Sequence, residues 1–239
     1  MADNEKVLNE LVDRLRKAHG GELISAVLYG SGAAGDANAK FSDLNVMCVL
    51  SDVTPAALGR AEPVFHWWRS LGNPAPVLLS EAEVQHATDC FAIEFHDIKS
   101  CSRLLTGRDV VSALEIDYTF YRSRVEYELR AKLLRLRQKA AGMLSQGEML
   151  ARLMADSLST FTSLTRHAVR LSGGEARWTK REIIAAAAGQ FGLDAQPFYT
   201  LLDLREGTKK PKDLHATALL EAYLKQIQII IDAVDRLER

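Results

Sequence analysis

Cysteine is scarce in this chain of 239 residues, and the three cysteines are Cys48, Cys90 and Cys101. No two of them have the Cys-x-x-Cys spacing that zinc sites and redox motifs require. Cys48 lies within an apolar, strand-like run, which favours a core residue over a nucleophile. The cysteine content therefore excludes a disulfide scaffold and predicts free thiols.

Long apolar runs and an excess of one charge are absent as well. No apolar run reaches the length that a bilayer-spanning helix needs, and 30 basic residues balance 31 acidic ones. Charged residues also interrupt the N-terminal segment where a secretory signal peptide would be apolar. We expect a cytoplasmic protein with neither a membrane nor a nucleic acid as a partner.

The residue patterns change near position 108. Residues 1–108 mix strand-like and helix-like segments and contain 10 basic and 14 acidic residues. Residues 109–239 show only helical patterns and contain 20 basic and 17 acidic residues. This order predicts an α+β domain, with a mixed sheet flanked by helices, over 1–108 and an all-α helical bundle over 109–239.

Apolar spacing and capping residues locate the elements. In the first half they predict helices over residues 7–15, from 55 and from 81, and strands over 23–29, 44–50, 77–79 and 91–98. In the second half they predict helices over residues 110–141, 143–171, 180–188, 197–204 and 214–237. Pro63 is expected to break or kink the helix that starts at 55.

A glycine-rich segment and a short acidic segment separate the first two predicted strands. Glycine at 30, 32 and 35 would let the backbone approach a phosphate, and successive N–H groups form a nest for an anion. Asp43 and Asn45 are two residues apart in an extended segment, so both side chains point to one side. Carboxylate oxygens placed in this way are ligands for a divalent cation. The segment is typical of a nucleotide-phosphate site.

These residues resemble a known family. Gly30-Ser31, eleven residues and then Asp43-Leu44-Asn45, with apolar strands on both sides, look like the nucleotidyltransferase fold of the DNA polymerase beta superfamily. Small bacterial members carry runs such as "GSRARG" and "SDIDL" where this chain has "GSGAAG" and "SDLNV". The resemblance covers about residues 1–108, and members of the family often append helices that hold the second substrate.

The resemblance implies a role for each matching position. The implied nucleotide-binding residues are Gly30, Ser31, Gly32, Gly35 and Ser42. Asp43 and Glu94 would be the catalytic acids, and Asp43, Asn45 and Glu94 would hold Mg²⁺. Asp97 is the competing choice for the third acid, since in a strand it would point to the side opposite Glu94. His96 would then share a face with Glu94.

Two positions depart from the family pattern. Gly32 stands where an arginine is usual, and Asn45 replaces an acid, which removes a negative charge beside the cation. The resemblance therefore implies a weakened Mg²⁺-dependent transfer of a nucleoside monophosphate from a nucleoside triphosphate to a hydroxyl group on a small molecule or protein. The alternative is a catalytically inactive nucleotide-binding or protein-interaction module on the same fold. Long amphipathic helices fit a homodimer and a monomeric bundle equally.

The segment 121–139 is rich in arginine around a stripe of leucines. Its arginines and glutamates have the spacing of ion pairs on the wet face of a helix. The same arginines would also suit a basic wall that supplies the cations missing from the glycine-rich loop. Sequence alone leaves both interpretations open.

Overall fold

Residues 2–33, 44–175 and 177–237 are described by the structure, a computed structural model, apart from the side chains at 2, 3 and 31. The chain forms two units, Met1–Thr119 and Phe120–Arg239. Residues 109–119 belong to the first unit because Val111 and Leu114 pack into its core. The helix predicted from 110 begins only at Tyr121, so that predicted boundary was wrong.

The first unit is built on a four-stranded mixed sheet in the order β3-β2-β1-β4. Its strands are β1 (Leu23–Tyr29), β2 (Asn45–Leu50), β3 (Val77–Ser80) and β4 (Ser102–Gly107). Its helices are α1 (Ala2–His19), α2 (Pro55–Ser70), α3 (Glu81–His86) and α4 (Ala92–Ser100). The central strand β1 pairs antiparallel with β2 and β4, whereas β2 pairs parallel with β3.

Helices cover both faces of this sheet. Helices α1 and α2 pack on one face through residues such as Leu11 and Trp68. Helices α3 and α4 pack on the other face, where Val84 and Phe95 meet Met47 of β2. Strands buried on both faces have nearly continuous apolar sequences, which is why β1 and β2 could be located from sequence. The predicted α+β unit with flanking helices is confirmed.

The strand predicted over residues 91–98 is wrong, because these residues form helix α4. Short apolar runs fit either period, and the local pattern cannot separate helix from strand. The fourth strand is instead β4, which no sequence pattern predicted since three of its first four residues are exposed. Pro63 lies inside a continuous α2 and does not end it.

The second unit is helical throughout its described residues. Its helices are α5 (Tyr121–Ala141), α6 (Gly147–Leu171), α7 (Lys180–Phe191), α8 (Gln196–Arg205) and α9 (Ala216–Asp235). Helix α6 is buried along most of its length and packs against the other four helices. The predicted bundle is confirmed. Within the described ranges, no helix combines the length and the apolar character needed to cross a bilayer.

Gly107, the last residue of β4, has no room for a side chain. Its φ is +85°, and a Cβ atom there would lie 2.1 Å from the carbonyl oxygen of Ile24. We predict that Gly107→Ala lowers the free energy of unfolding by about 2 kcal/mol or more, because overpacking adds to the backbone strain. Urea unfolding followed by tryptophan fluorescence measures the loss, since Trp68 lies in the core of this unit.

Gly72→Ala is the matched control for this prediction. Gly72 has a similar φ of +88°, but a Cβ atom there would meet nothing within 4 Å. Backbone strain alone would cost about 1 kcal/mol. Equal losses for the two variants would contradict the role of the Ile24 contact.

Candidate functional site

The turn after β1 is held by backbone hydrogen bonds. Gly30 has a φ of +75°, and Gly30–Gly32 form a single 3₁₀ turn. The Gly30 N–H donates to the Cys101 carbonyl oxygen at 3.0 Å, and the Ala33 N–H donates to the Gly30 carbonyl oxygen at 2.9 Å. The first N–H groups of a helical turn have no partner within the turn. Because the Gly30 and Ala33 N–H groups are paired within the protein, an anion at this turn would have to be held by the N–H groups of Ser31 and Gly32.

Asn45 begins β2 directly beside this turn. It is the register partner of Tyr29, the last residue of β1. Paired residues in antiparallel strands project to the same face, so Asn45, like Met47, points toward the face covered by α4. Its Nδ2 atom lies 3.6 Å from where a Cβ atom of residue 30 would be. The lack of a side chain at Gly30 therefore leaves room beside the Asn45 amide.

Glu94 and Asp97 lie on α4, one helical turn apart. Residues three apart in a helix are neighbours on its surface, so the expectation that they point to opposite sides of a strand is wrong. Glu94 is exposed and Asp97 is half-buried. Both carboxylates lie on the same side of α4, so helix geometry does not choose between Glu94 and Asp97 as the third acid.

Tyr29 connects these two acids to the strand end. Its half-buried phenol has a pKa raised above the usual value by burial first, then by the negative charge of Glu94 and then by that of Asp97. Both carboxylates are thus within electrostatic range of the residue that precedes Gly30. Sequence reasoning missed Tyr29, whose position immediately before the Gly-Ser pair was the available signal.

The strand interpretation placed His96 on the same face as Glu94, and this is wrong. Residues two apart in a helix point in different directions, and His96 is buried. Its Nδ1 atom lies 3.0 Å from the hydroxyl of Tyr118, and its Nε2 atom lies 3.3 Å from the hydroxyl of Ser100. These contacts tie His96 of α4 to Tyr118 and place it in the packing of the first unit.

Several of the sequence-predicted site residues lie outside the described residues. These are Gly35, Ser42 and Asp43, together with the side chain of Ser31. Among the described residues the structure brings together Gly30, Gly32 and Asn45 at the strand ends, with Glu94 on the covering helix. The roles predicted for these residues stay predictions.

The side-chain oxygen atoms at this site are of the kind that binds a hard cation. Amide and carboxylate oxygens, as on Asn45 and Glu94, are the ligands that Mg²⁺ prefers. Over the described ranges, however, no three His, Cys, Asp or Glu side chains come together as a metal cluster. Asp43, the first acid of the sequence motif, lies outside those ranges.

The basic segment of α5 forms ion pairs along its own helix. Arg122 and Arg130 both contact Glu126, at 2.9 Å and 2.8 Å, and Arg124 contacts Glu128 at 3.5 Å. This is the i,i+4 pattern expected for a wet helical face. The alternative, a basic wall for a phosphate, remains a prediction.

Comparison with known proteins identifies the fold. No protein-family model matches the sequence, and no curated protein matches it. One similar solved structure is spectinomycin adenyltransferase AAD(9) from Enterococcus faecialis with ATP and spectinomycin. It is 14% identical, covers 95% of this chain and 99% of that chain, and has a TM-score of 0.63.

A second similar structure is that of a tri-AMPylated Shewanella oneidensis HEPN toxin in complex with MNT antitoxin. It is 12% identical, covers 57% of this chain and 98% of that chain, and has a TM-score of 0.29, which is too low to carry an argument. The first likeness shows that this chain has a nucleotidyltransferase fold. It also extends beyond residues 1–108, where the sequence resemblance ended.

The position of Glu94 near Tyr29 can be tested by titration. We predict that Glu94→Gln lowers the pKa of Tyr29, and that Asp97→Asn lowers it less, because each removes a negative charge that opposes phenolate formation. The ultraviolet absorbance of phenolate, with and without Tyr29→Phe, isolates this residue from the other five tyrosines. Because the pKa of Tyr29 is raised in the folded protein, this phenol does not change the free energy of unfolding with pH below about pH 10. Above that pH the free energy of unfolding falls as the pH rises.

Glu62→Gln is the control for this titration, since Glu62 is an exposed acid on α2, which packs on the opposite face of the sheet. It should leave the Tyr29 titration unchanged. If neither Glu94→Gln nor Asp97→Asn changes the pKa of Tyr29, the acids of α4 do not lie close to this end of β1.

Proposed function

We propose that the chain binds a nucleoside triphosphate at the Gly30–Gly32 turn and the start of β2, and transfers its nucleoside monophosphate slowly to a hydroxyl group. The observation that supports this is the meeting of the glycine turn, Asn45 and the acids of α4 at one end of the sheet. The similar adenyltransferase was solved with ATP, and phosphoryl-group transfer depends mainly on positioning and charge.

The chain's own groups have separate tasks in this proposal. The N–H groups of the turn hold the phosphate oxygens, and the missing side chain at Gly30 lets the phosphate come close to the backbone. Glu94, with Asp97 behind it, supplies negative charge on the α4 side. Asp43, Asn45 and Glu94 would hold Mg²⁺, which neutralises phosphate charge when it is bound.

Asn45 is the reason why the transfer is slow. Replacing a carboxylate by an amide removes one negative charge next to a divalent cation. At a separation of about 4 Å and an effective dielectric of about 20, such a charge is worth several kcal/mol before desolvation is subtracted. Each loss of about 1.4 kcal/mol from the transition state lowers the rate tenfold. The acceptor would be a small molecule or a protein.

The neutral amide of Asn45 also favours a second candidate function. A site that lacks a carboxylate at this position can keep the phosphate-binding turn while losing the metal on which transfer depends. Such a chain would be an inactive module that binds a nucleotide or a partner protein. A module that binds a nucleotide would share nucleotide binding with the enzyme. Only catalytic turnover would distinguish the two candidate functions.

The test of this proposal is the substitution Asn45→Asp. We predict that it tightens Mg²⁺-dependent binding of one triphosphate by about tenfold or more, because a charge is restored beside the cation. Isothermal titration with ATP, GTP, CTP and UTP, with and without Mg²⁺, measures this. Pyrophosphate release by the same variants shows whether binding leads to transfer.

Asn9→Asp supplies the matched control, as it makes the same charge change at an exposed position of α1. It should leave binding unchanged, whereas Asp43→Ala should abolish the Mg²⁺-dependent part. If no triphosphate binds the parent chain or Asn45→Asp, the nucleotide proposal fails. If binding occurs without pyrophosphate release in either protein, also when a panel of small-molecule and protein hydroxyl acceptors is added, the inactive module is the correct candidate.

A further inference from the structure

Helix α5 has a second apolar stripe on the side opposite the bundle. Its buried side, which includes Val125 and Leu129, packs against α6 and α9. On the other side, Phe120 at the N-cap, Tyr127 and Leu134 are 66%, 62% and 58% exposed. Three large apolar side chains in one row on a surface are a mark of an interaction site.

The three residues of this outer stripe are spaced by seven. At 100° per residue they fall within about 40° of one another around the helix, and at 1.5 Å per residue they extend over about 21 Å. Apolar residues in a row this narrow are typical of the seam between two packed helices. A helix lying on a bilayer needs a much wider apolar face.

Arginines flank the outer stripe on both sides. Arg124 and Arg135 lie about 60° to 80° to one side of Tyr127, and Arg130 and Arg137 lie as far to the other. The Arg124 guanidinium is 5.6 Å from the Tyr127 ring centre. Over its whole length α5 has seven basic and two acidic residues, although the chain has a net charge of −1.

The charge on α5 determines which helix could cover the stripe. The two glutamates of α5 pair with arginines of the same helix. A second copy of α5 would bring an equally basic helix into contact, and like charges at these flanking positions oppose pairing. A helix with glutamate or aspartate at its own flanking positions would meet Arg135 and Arg137. It would share Arg124 with Glu128. It would share Arg130 with Glu126 and with Asp235 of α9. Guanidinium groups bind carboxylates in two-pronged geometry.

We propose that the outer stripe of α5, made of Phe120, Tyr127 and Leu134 with its flanking arginines, docks an acidic amphipathic helix of a partner protein. The partner's leucine-like side chains fill the spaces between the three exposed residues, and its carboxylates pair with the arginines. This surface lies entirely on the second unit and does not depend on the nucleotide site.

A designed peptide tests this docking. The probe is a three-heptad helical peptide with leucine at its seam positions and glutamate at the flanking positions, titrated into the full chain by fluorescence anisotropy. We predict saturable binding that weakens as salt is added. The same peptide with lysine for glutamate should bind at least about tenfold more weakly. Equal binding of the two peptides would overturn the charge argument.

Two pairs of variants locate the surface. Tyr127→Ser with Leu134→Ser should weaken binding about tenfold, while Leu144→Ser with Met149→Ser, which changes residues that are 50% and 52% exposed off the stripe, should not. Arg135→Glu should weaken binding, and Arg152→Glu on α6 should have little effect. All these positions are exposed, so circular dichroism should be unchanged.

Vesicles of anionic and neutral phospholipid distinguish a membrane from a protein partner. Binding to anionic vesicles that is lost in Tyr127→Ser with Leu134→Ser, together with no binding of the acidic peptide, would overturn the proposal and assign the surface to a lipid. Peptide binding that is unchanged both by Tyr127→Ser with Leu134→Ser and by Arg135→Glu would also overturn the proposal. Dimerisation of the free chain through the stripe, detected by sedimentation, would contradict the charge argument in the same way.

Discussion

The antiparallel pairing of β1 with β2 fixes where Tyr29, the Gly30–Gly32 turn and Asn45 lie relative to one another. Strand β1 has a partner at each edge and helices over each face, so its register cannot shift without cost. A slip of one residue would move Asn45, Met47 and Val49 to the face covered by α1 and α2. The core therefore holds Asn45 opposite Tyr29 and beside the Gly30 turn. Asn45 is thus a defined feature of the site and not a change tolerated in a loose loop.

The charges around this strand end explain what an amide does there. Glu94 and Asp97 already repel added negative charge, as the raised pKa of Tyr29 shows after burial is taken into account. A further carboxylate at position 45 would increase this repulsion unless a cation were bound. Under the proposed metal role, Asn45 would ease the repulsion in the cation-free protein and would weaken binding of the cation. Both effects would come from the same missing charge, so metal affinity and metal-free stability would change in opposite directions.

Sequence patterns predicted the parts of the structure that local chemistry determines. The apolar strands β1 and β2 and the capping boxes at Ser80 and Thr179 have strong local signals, and the structure contains each of them. Helix α4 was predicted as a strand because its apolar and polar residues alternate in sequence, whereas the residues it buries, among them Ala92, Phe95 and His96, have helical spacing. The exposed strand β4 is defined by pairing with β1, and no pattern within it predicts this. The placement of Glu94 and Asp97 on one helical face follows only from α4, and so does their charge effect on Tyr29, although the position of Tyr29 before the Gly-Ser pair was visible in the sequence.

The two sides of α5 differ in their contacts, because the inner side packs in the bundle and the outer side is exposed. Its inner leucines are buried, and ion pairs within the helix neutralise part of its charge. Neither interaction needs large apolar residues on the outer side, where polar side chains would serve a wet surface equally well. Burying one such side chain is worth about 1.5–3 kcal/mol, so covering Phe120, Tyr127 and Leu134 would recover several kcal/mol. The remaining positive charge then favours an acidic covering surface, because a basic helix would add like charge beside the guanidinium groups of α5, which are only partly neutralised by Glu126 and Glu128.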